Sequence, residues 1–381
     1  MKQGMCGIAL EDGILSVLLC ARERAQLIPC AEFSLPAGSD DLLEVLGKNI
    51  EKLDEEITKH EEEKSIVVDQ VYCVLPFGWQ RFKIADDIFP LAKDKKKAVF
   101  AKEIVQAKDH MEGVMLDWNE RCIHNIILEY HLDGEVFRQL PAQVSARKLK
   151  LKSLLVSIER KIFSEIQALF HNIDRQFMAF IWWPLAELSV NASDKIPVPY
   201  VTVDIRRHET YCSILSDEGI VFEKFDMNSV QIQRKIAEKF SLSPQVCQDI
   251  LDHYVGFQSV MSGKEVVMKE AGRYVSINTT AISQYLQEIL REELSEIIEF
   301  IKRYISQEYK ILFLGQFAVL KGFTAFIRGQ FPGLQTEISS FRSSSSYLLG
   351  CVKYGCQRYL ERTIPQAGIF NRLMNMYRDY F

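Results

Sequence analysis

A helix needs roughly 20 consecutive apolar residues to cross a bilayer, and no stretch of this 381-residue chain supplies them. A secretory signal core is missing too, because the apolar run Gly7–Leu10 is cut off by Glu11 and Asp12. Both absences predict a protein kept in the cytoplasm. There is no one-sided basic footprint: 46 lysines and arginines face 51 acids, and the net charge of −5 is spread along the chain. Nucleic acid is therefore not an expected partner. The nine cysteines are scattered, odd in number and contain no C-x-x-C pair. Cys351 and Cys356, five apart in a predicted helix, point to different sides, so reduced buried thiols are expected. The histidines have no metal-ligand spacing.

What is present is the composition of a globular chain, 48% hydrophobic and 25% charged, and long enough for two cooperating subdomains. Met5–Leu10, Ile14–Cys20 and a third segment near Ala31–Leu35 read as strands, broken by Gly13, then by Pro36 and Gly38. Leu42, Leu46, Ile50, Leu53 and Ile57 make a helical stripe, and the mixed charges of Glu51–Lys64 are its solvated face. Ser65–Leu75 then reads as a buried strand. From about Lys83 to Ile158 the texture changes to a small α+β insertion, with a helix near Val99–Met111 and strands near Cys122–Leu132 and Lys148–Ser157. A helix at Glu159–Phe170 and a strand at Phe177–Trp182 return the chain to the first lobe.

After a linker at Asn191–Pro199 the opening pattern repeats: Val201–Asp204, Tyr211–Leu215 and Ile220–Phe225 as strands, then a helix at Val230–Phe240. Duplication of a strand-strand-strand-helix unit is the organisation of the actin-like ATPases. Within that group the chain resembles the FtsA family of bacterial cell-division proteins over essentially its whole length. The resemblance is carried by HNIILEYHLDGEVFRQLPAQVSARKLKLKSLLVSI (124–158), VTVDIRRHETYCSIL (201–215), SVQIQRKIAEKFSLSPQVCQDILDHY (229–254) and KILFLGQFAVLKGF (310–323).

The resemblance implies an α/β, actin-like (ribonuclease H-like) two-lobed fold with an inserted SHS2-type subdomain. Residues 1–83 and 159–190 would form the first lobe, 84–158 the insertion, 198–364 the second lobe with a helical part at 227–310, and 365–381 a terminal amphipathic helix. It also implies an ATP site, and there the sequence departs from the family. Phosphates need glycine turns whose N–H groups can approach closely. The first turn is ALEDG (9–13), with Ala9 in place of the usual aspartate and Glu11 near the phosphate position. The second keeps Asp204 but follows it with Arg206, Arg207 and His208. On the adenosine side Gln248 and Leu251 replace a glutamate and a lysine, and the last glycine run is reduced to Gly315, followed by Gln316 and Phe317. Asp204, Arg206 and Gly315 remain as a vestigial nucleotide site. Asp204 reads either as a surviving metal-positioning carboxylate or as a turn cap, and Arg206 to His208 as an anion site or an exposed hairpin tip. No catalytic residue, metal or cofactor is expected, with ATP and magnesium at most weakly bound.

At the C-terminus, Ile369, Phe370, Leu373, Met374, Tyr377, Tyr380 and Phe381 share one side of a helix, with Met376 beside them. Such a helix is too short to span a bilayer and is suited to its surface, although it can also dock on its own domain. The resemblance implies a peripheral scaffold on the inner membrane face that tethers a tubulin-like FtsZ partner and assembles with itself. The partner would bind near Gln284–Ile305, where Leu286, Leu290, Leu294, Ile297 and Ile301 form a stripe that also reads as core. The alternatives are a slow divergent ATPase and a PilM-like component of a pilus or secretion platform.

Overall fold

The computed structural model describes residues 2–356 except 12, 24–25, 40, 77, 93–94, 138–139, 141–143, 191–198, 207–209, 217–218, 258–264, 271–272, 306–308, 316, 319, 333–334 and 339–347. The chain forms two compact units. The first takes Met1–Lys195 together with the described residues after Ser343, and the second is Ile196–Arg342.

The first unit opens with β1 (Lys2–Glu11), β2 (Ile14–Glu23) and β3 (Gln26–Pro36), followed by α1 (Leu42–Lys64) and β4 (Ile66–Val74). Asp41 caps α1 by accepting from the N–H groups of Leu43 and Glu44, and Ser65 ends it in the left-handed region. Leu42, Val45, Leu46, Leu53 and Ile57 are buried, as the stripe required, while Ile50 is half-buried. An insertion then runs through β5 (Arg81–Pro90), β6 (Lys97–Ala98), α2 (Ala101–Met115), β7 (Glu120–Leu132), β8 (Glu135–Phe137), β9 (Ser145–Ala146) and β10 (Lys148–Glu159). Next come α3 (Arg160–His171), β11 (Gln176–Ile181) and α4 (Trp183–Val190). The lobe sheet has the order β11-β4-β1-β2-β3, with β1 antiparallel to β2 and parallel to β4.

The insertion sits between β4 and α3. It is an antiparallel sheet β5-β10-β7-β8, beside a two-residue β6-β9 ladder. Ala107 and Met111 of α2 pack on Ala85, Leu149, Leu151 and Leu155 of that sheet. Strand β5 escaped the sequence reading because Asp86 and Asp87 interrupt its alternation. Asp86 is accommodated at a sheet edge, where Lys150 reaches it at 3.1 Å, and the His110 ring lies 3.5 Å from the Asp87 carboxylate.

The second unit repeats the plan. It contains β12 (Tyr200–Ile205), β13 (Thr210–Ser216), β14 (Gly219–Phe225), α5 (Ser229–Phe240), α6 (Pro244–His253), β15 (Glu265–Glu270), β16 (Arg273–Asn278), α7 (Thr279–Tyr304), β17 (Lys310–Gly315), α8 (Phe323–Gln330) and β18 (Gln335–Ile338). Its sheet order, β14-β13-β12-β17-β18, reproduces that of the first unit strand for strand. The stripe Leu286, Leu290, Leu294, Ile297 and Ile301 is fully buried in this unit's core. It is thus packing surface and presents nothing to a partner.

One boundary differs from the sequence reading, which ran the second lobe to residue 364. The helix at 348–356 instead packs on β1 and β4 of the first unit. A Cβ on Gly7 would meet Val352 Cγ2 at 2.9 Å, and one on Gly355 would stand inside the Tyr72 ring. Tyr72 is 1% exposed and donates to Gln70 Oε1 at 3.1 Å, so it has nowhere to go. Gly355→Ala is therefore expected to dislodge this helix. Cys351 on it is fully buried, and burial holds its thiol well above the usual value. Timed thiol labelling with peptide mapping should find Cys351 protected in the parent and reactive in Gly355→Ala. Equal labelling in both would mean that the contact yields without cost.

Candidate functional site

Each unit opens with an antiparallel hairpin, β1–β2 in the first and β12–β13 in the second. In the first unit β1 and β2 pair through Glu11 and Ile14, and Gly13 turns the chain at φ +72° with open space around it. Ala9, which stands where the family resemblance implies an aspartate, is 1% exposed and belongs to the core.

In the second unit the sequence-predicted residues Asp204, Arg206 and Gly315 come together. Register places Asp204 beside Tyr211 on β13 and Leu314 on β17, and Ile205 beside Gly315. Asp204 is 6% exposed, a burial that a carboxylate tolerates only with a partner. Arg206 supplies it, Nε to Oδ2 at 2.7 Å. The backbone carbonyl of Arg206 accepts from Ser229 N–H, in the first turn of α5, at 3.0 Å, while Asn228 caps the same helix by accepting from Gln231 N–H. One oxygen of the Asp204 carboxylate and the Ser229 N–H are thus both engaged by Arg206. Arg207 and His208 lie outside the described residues.

Gly315 is fixed by a steric requirement of its own. Its φ is +96°, and a Cβ would stand 1.9 Å from the carbonyl oxygen of Ile205. The glycine is required by the approach of β17 to β12 whether or not a nucleotide is present. On the adenosine side Leu251 is 1% exposed in the unit's core, and Gln248 is clasped, donating to Asp252 at 2.7 and 2.8 Å and accepting from Gln233 at 2.5 Å. Phe317 is fully buried. The remaining sequence-predicted residues, Ile369, Phe370, Leu373, Met374, Tyr377, Tyr380 and Phe381, lie outside the described residues. Among the described residues no cluster of metal-ligating side chains occurs, and no helix is long and apolar enough to cross a membrane. All nine cysteines are free thiols.

The sequence matches no protein-family model and no curated protein. Solved structures do match over nearly their full length. The PilM-PilN type IV pilus biogenesis complex aligns with a TM-score of 0.52 at 13% identity, covering 95% of this chain and 99% of that one. The chain has the actin-like ATPase fold. A diol dehydratase-reactivating factor in nucleotide-free form aligns with a TM-score of 0.52 at 6% identity, covering 94% of this chain and all of that one. A glycerol dehydratase reactivase aligns at 0.50 with 8% identity, over 93% and 100% of the two chains. At such identities the likeness is one of fold, and the two sheets of matching strand order are its internal counterpart.

Proposed function

We propose that this protein is a non-catalytic actin-fold scaffold on the inner face of a membrane, with a nucleotide site that the chain has filled with its own side chains. The Asp204–Arg206 pair carries the reading: the one carboxylate retained at the phosphate turns is neutralised from two residues away. Buried Ala9 and Leu251 support it, since neither can contact a phosphate or a ribose hydroxyl. Calorimetry of the full chain with ATP and magnesium is expected to give no saturable heat at micromolar ligand. Micromolar or tighter binding would sink the non-catalytic reading in favour of the slow ATPase.

The membrane belongs to the same proposal through Gly368–Phe381, whose apolar side would lie in the acyl boundary with little help from charge. Replacing Phe370 and Leu373 together by aspartate is expected to abolish co-sedimentation with liposomes, whereas Arg372→Gln should weaken it only slightly on anionic lipids. Unchanged sedimentation of the double variant with a lowered melting temperature would mean that the tail packs on its own protein. In the FtsA-like form of the proposal the insertion is an SHS2-type subdomain, and the tethered partner is an FtsZ-like filament, with self-assembly alongside. A second form, a component of a pilus or secretion platform, is favoured by the end-to-end match with PilM of the PilM-PilN complex. Pull-down with the intact chain separates the two by the class of protein retained.

A further inference from the structure

The two larger sheets of the first unit end in β3, β11, β5 and β8, and three of these edges are guarded. β3 carries Pro29 and Pro36 and a register shift at Leu19 and Cys20, β11 shifts register between Phe177 and Ala179, and β8 is three residues long. β5 is different. It pairs with β10 from Arg81 to Pro90 without a shift, its one proline is its last residue, and among the described residues no strand pairs with its other side.

Register fixes where its backbone groups point. Leu91 N–H donates to Arg147 O at 3.0 Å, in the register that continues from Pro90 opposite Lys148. The odd residues therefore bond inward, and Phe82, Ile84, Asp86 and Ile88 turn their N–H and C=O groups outward. Only the Ile88 N–H is capped locally, by Asp87 Oδ1 at 2.9 Å. Ala85 packs on α2, which puts Lys83 and Asp87 on that same face. Lys83 reaches Met115 O at 2.6 Å, while Asp87 Oδ2, 3.5 Å from His110 Nε2, is buried and accepts no hydrogen bond. Apolar surface flanks the edge on both faces. Ile88 is 57% exposed on one, and on the other Val114, 60% exposed, follows His110 by one helical turn.

This strand is complementary to itself. A second copy related by a two-fold axis would bring its own β5 antiparallel to this edge, and matching the faces requires odd residues opposite odd and even opposite even. Of the registers that pair more than half of the strand, those centred on Asp86 or Asp87 oppose like carboxylates. Centring on Ile84 would use Arg81 against Asp87, but Arg81 is already held by Glu120 at 3.5 Å and Glu159 at 2.7 Å. Centring on Ala85 opposes Lys83 to Asp87 and Phe82 to Ile88, each twice by symmetry. The outward residues then form the hydrogen-bonded pairs, and the small Ala85 stands at the close approach of a non-bonded pair. The cap on Ile88 N–H is exchanged for the partner's Phe82 C=O, which releases Asp87 to meet lysine.

We propose that the outer edge of β5 joins a second copy of this chain, two insertions forming one continuous antiparallel sheet about a two-fold axis at Ala85. Such a contact uses the same surface on both copies and closes on itself, so it makes a dimer and not a filament, and it stands apart from the nucleotide and membrane readings. The test is sedimentation velocity of the full-length chain without lipid, from about 1 μM to about 0.1 mM. The parent should shift with concentration to a species of twice the chain mass. Lys83→Glu should raise the dimer dissociation constant roughly tenfold, since both cross-strand ion pairs become like-charge pairs. Adding Asp87→Lys to it restores opposite charges only between chains, because residues four apart in a strand lie about 13 Å from one another. That double variant should return to near the parental constant. A parent that stays monomeric throughout overturns the proposal, as does a dimer unmoved by Lys83→Glu or a double variant with a parental melting temperature that fails to recover. Should the double variant melt early, carbodiimide coupling of mixed light and heavy isotope-labelled parent decides: a mixed-isotope peptide joining Lys83 to Asp87 is expected, and its absence overturns the pairing.

Discussion

Gly315→Ala is expected to unfold the second unit at markedly lower denaturant, by roughly 3–5 kcal/mol. Two penalties combine. The residue sits at φ +96°, where an L side chain is strained, and its Cβ would stand 1.9 Å from Ile205 O, a backbone atom that β12 holds in place through pairing on both sides. Relief requires β17 to part from β12, which breaks the parallel ladder at the centre of the sheet. Urea unfolding followed by fluorescence and by circular dichroism, to allow for two units melting separately, reads the loss. An unaltered midpoint would mean that the strand ends do not approach as described. The same variant separates the two meanings of this glycine. If it were present only to admit a nucleotide, alanine would cost binding and leave stability alone.

Arg175→Ala should be nearly as damaging to the first unit, lowering its stability by about 3 kcal/mol. Arg175 is 8% exposed and lies just before β11. Its Nε meets Asp54 Oδ1 at 2.6 Å, its two terminal nitrogens each meet a Glu61 oxygen at 3.1 Å, and it also donates to Thr58 Oγ1 and Val68 O. Removing it leaves Glu61, itself only 17% exposed, without its counter-charge, and that uncompensated charge causes most of the loss. Lysine cannot reproduce the planar fork, so Arg175→Lys should recover only part of it. Arg175→Met combined with Glu61→Gln, which removes both charges, should be more stable than Arg175→Ala alone. Thermal melts of the three variants test this, and a parent-like melt of Arg175→Ala would show that the cluster is dispensable.

Local pattern carried far in this chain. Alternating residues around Gly13 marked the first hairpin, the stripe from Leu42 to Ile57 marked α1, and the recurrence of three strands and a helix after Pro199 marked the duplication, because strand and helix periods are written in consecutive residues. The departures of residues 9–13 and 204–208 from the glycine-rich turns that the family resemblance implies are likewise read from residue names, since a side chain's bulk and charge are known from its name.

By itself, then, the sequence determined the periodic elements and their duplicated order. Only the tertiary structure decided which atoms meet. It set Arg175 against Glu61, 114 residues away, seated the 348–356 helix on Gly7 and Tyr72 of the first unit, and gave Gly315 to strand packing. The physical reason is range: periodicity and turn chemistry act over a few residues, whereas burial, ion pairing and van der Waals exclusion depend on distances that no spacing in the sequence encodes.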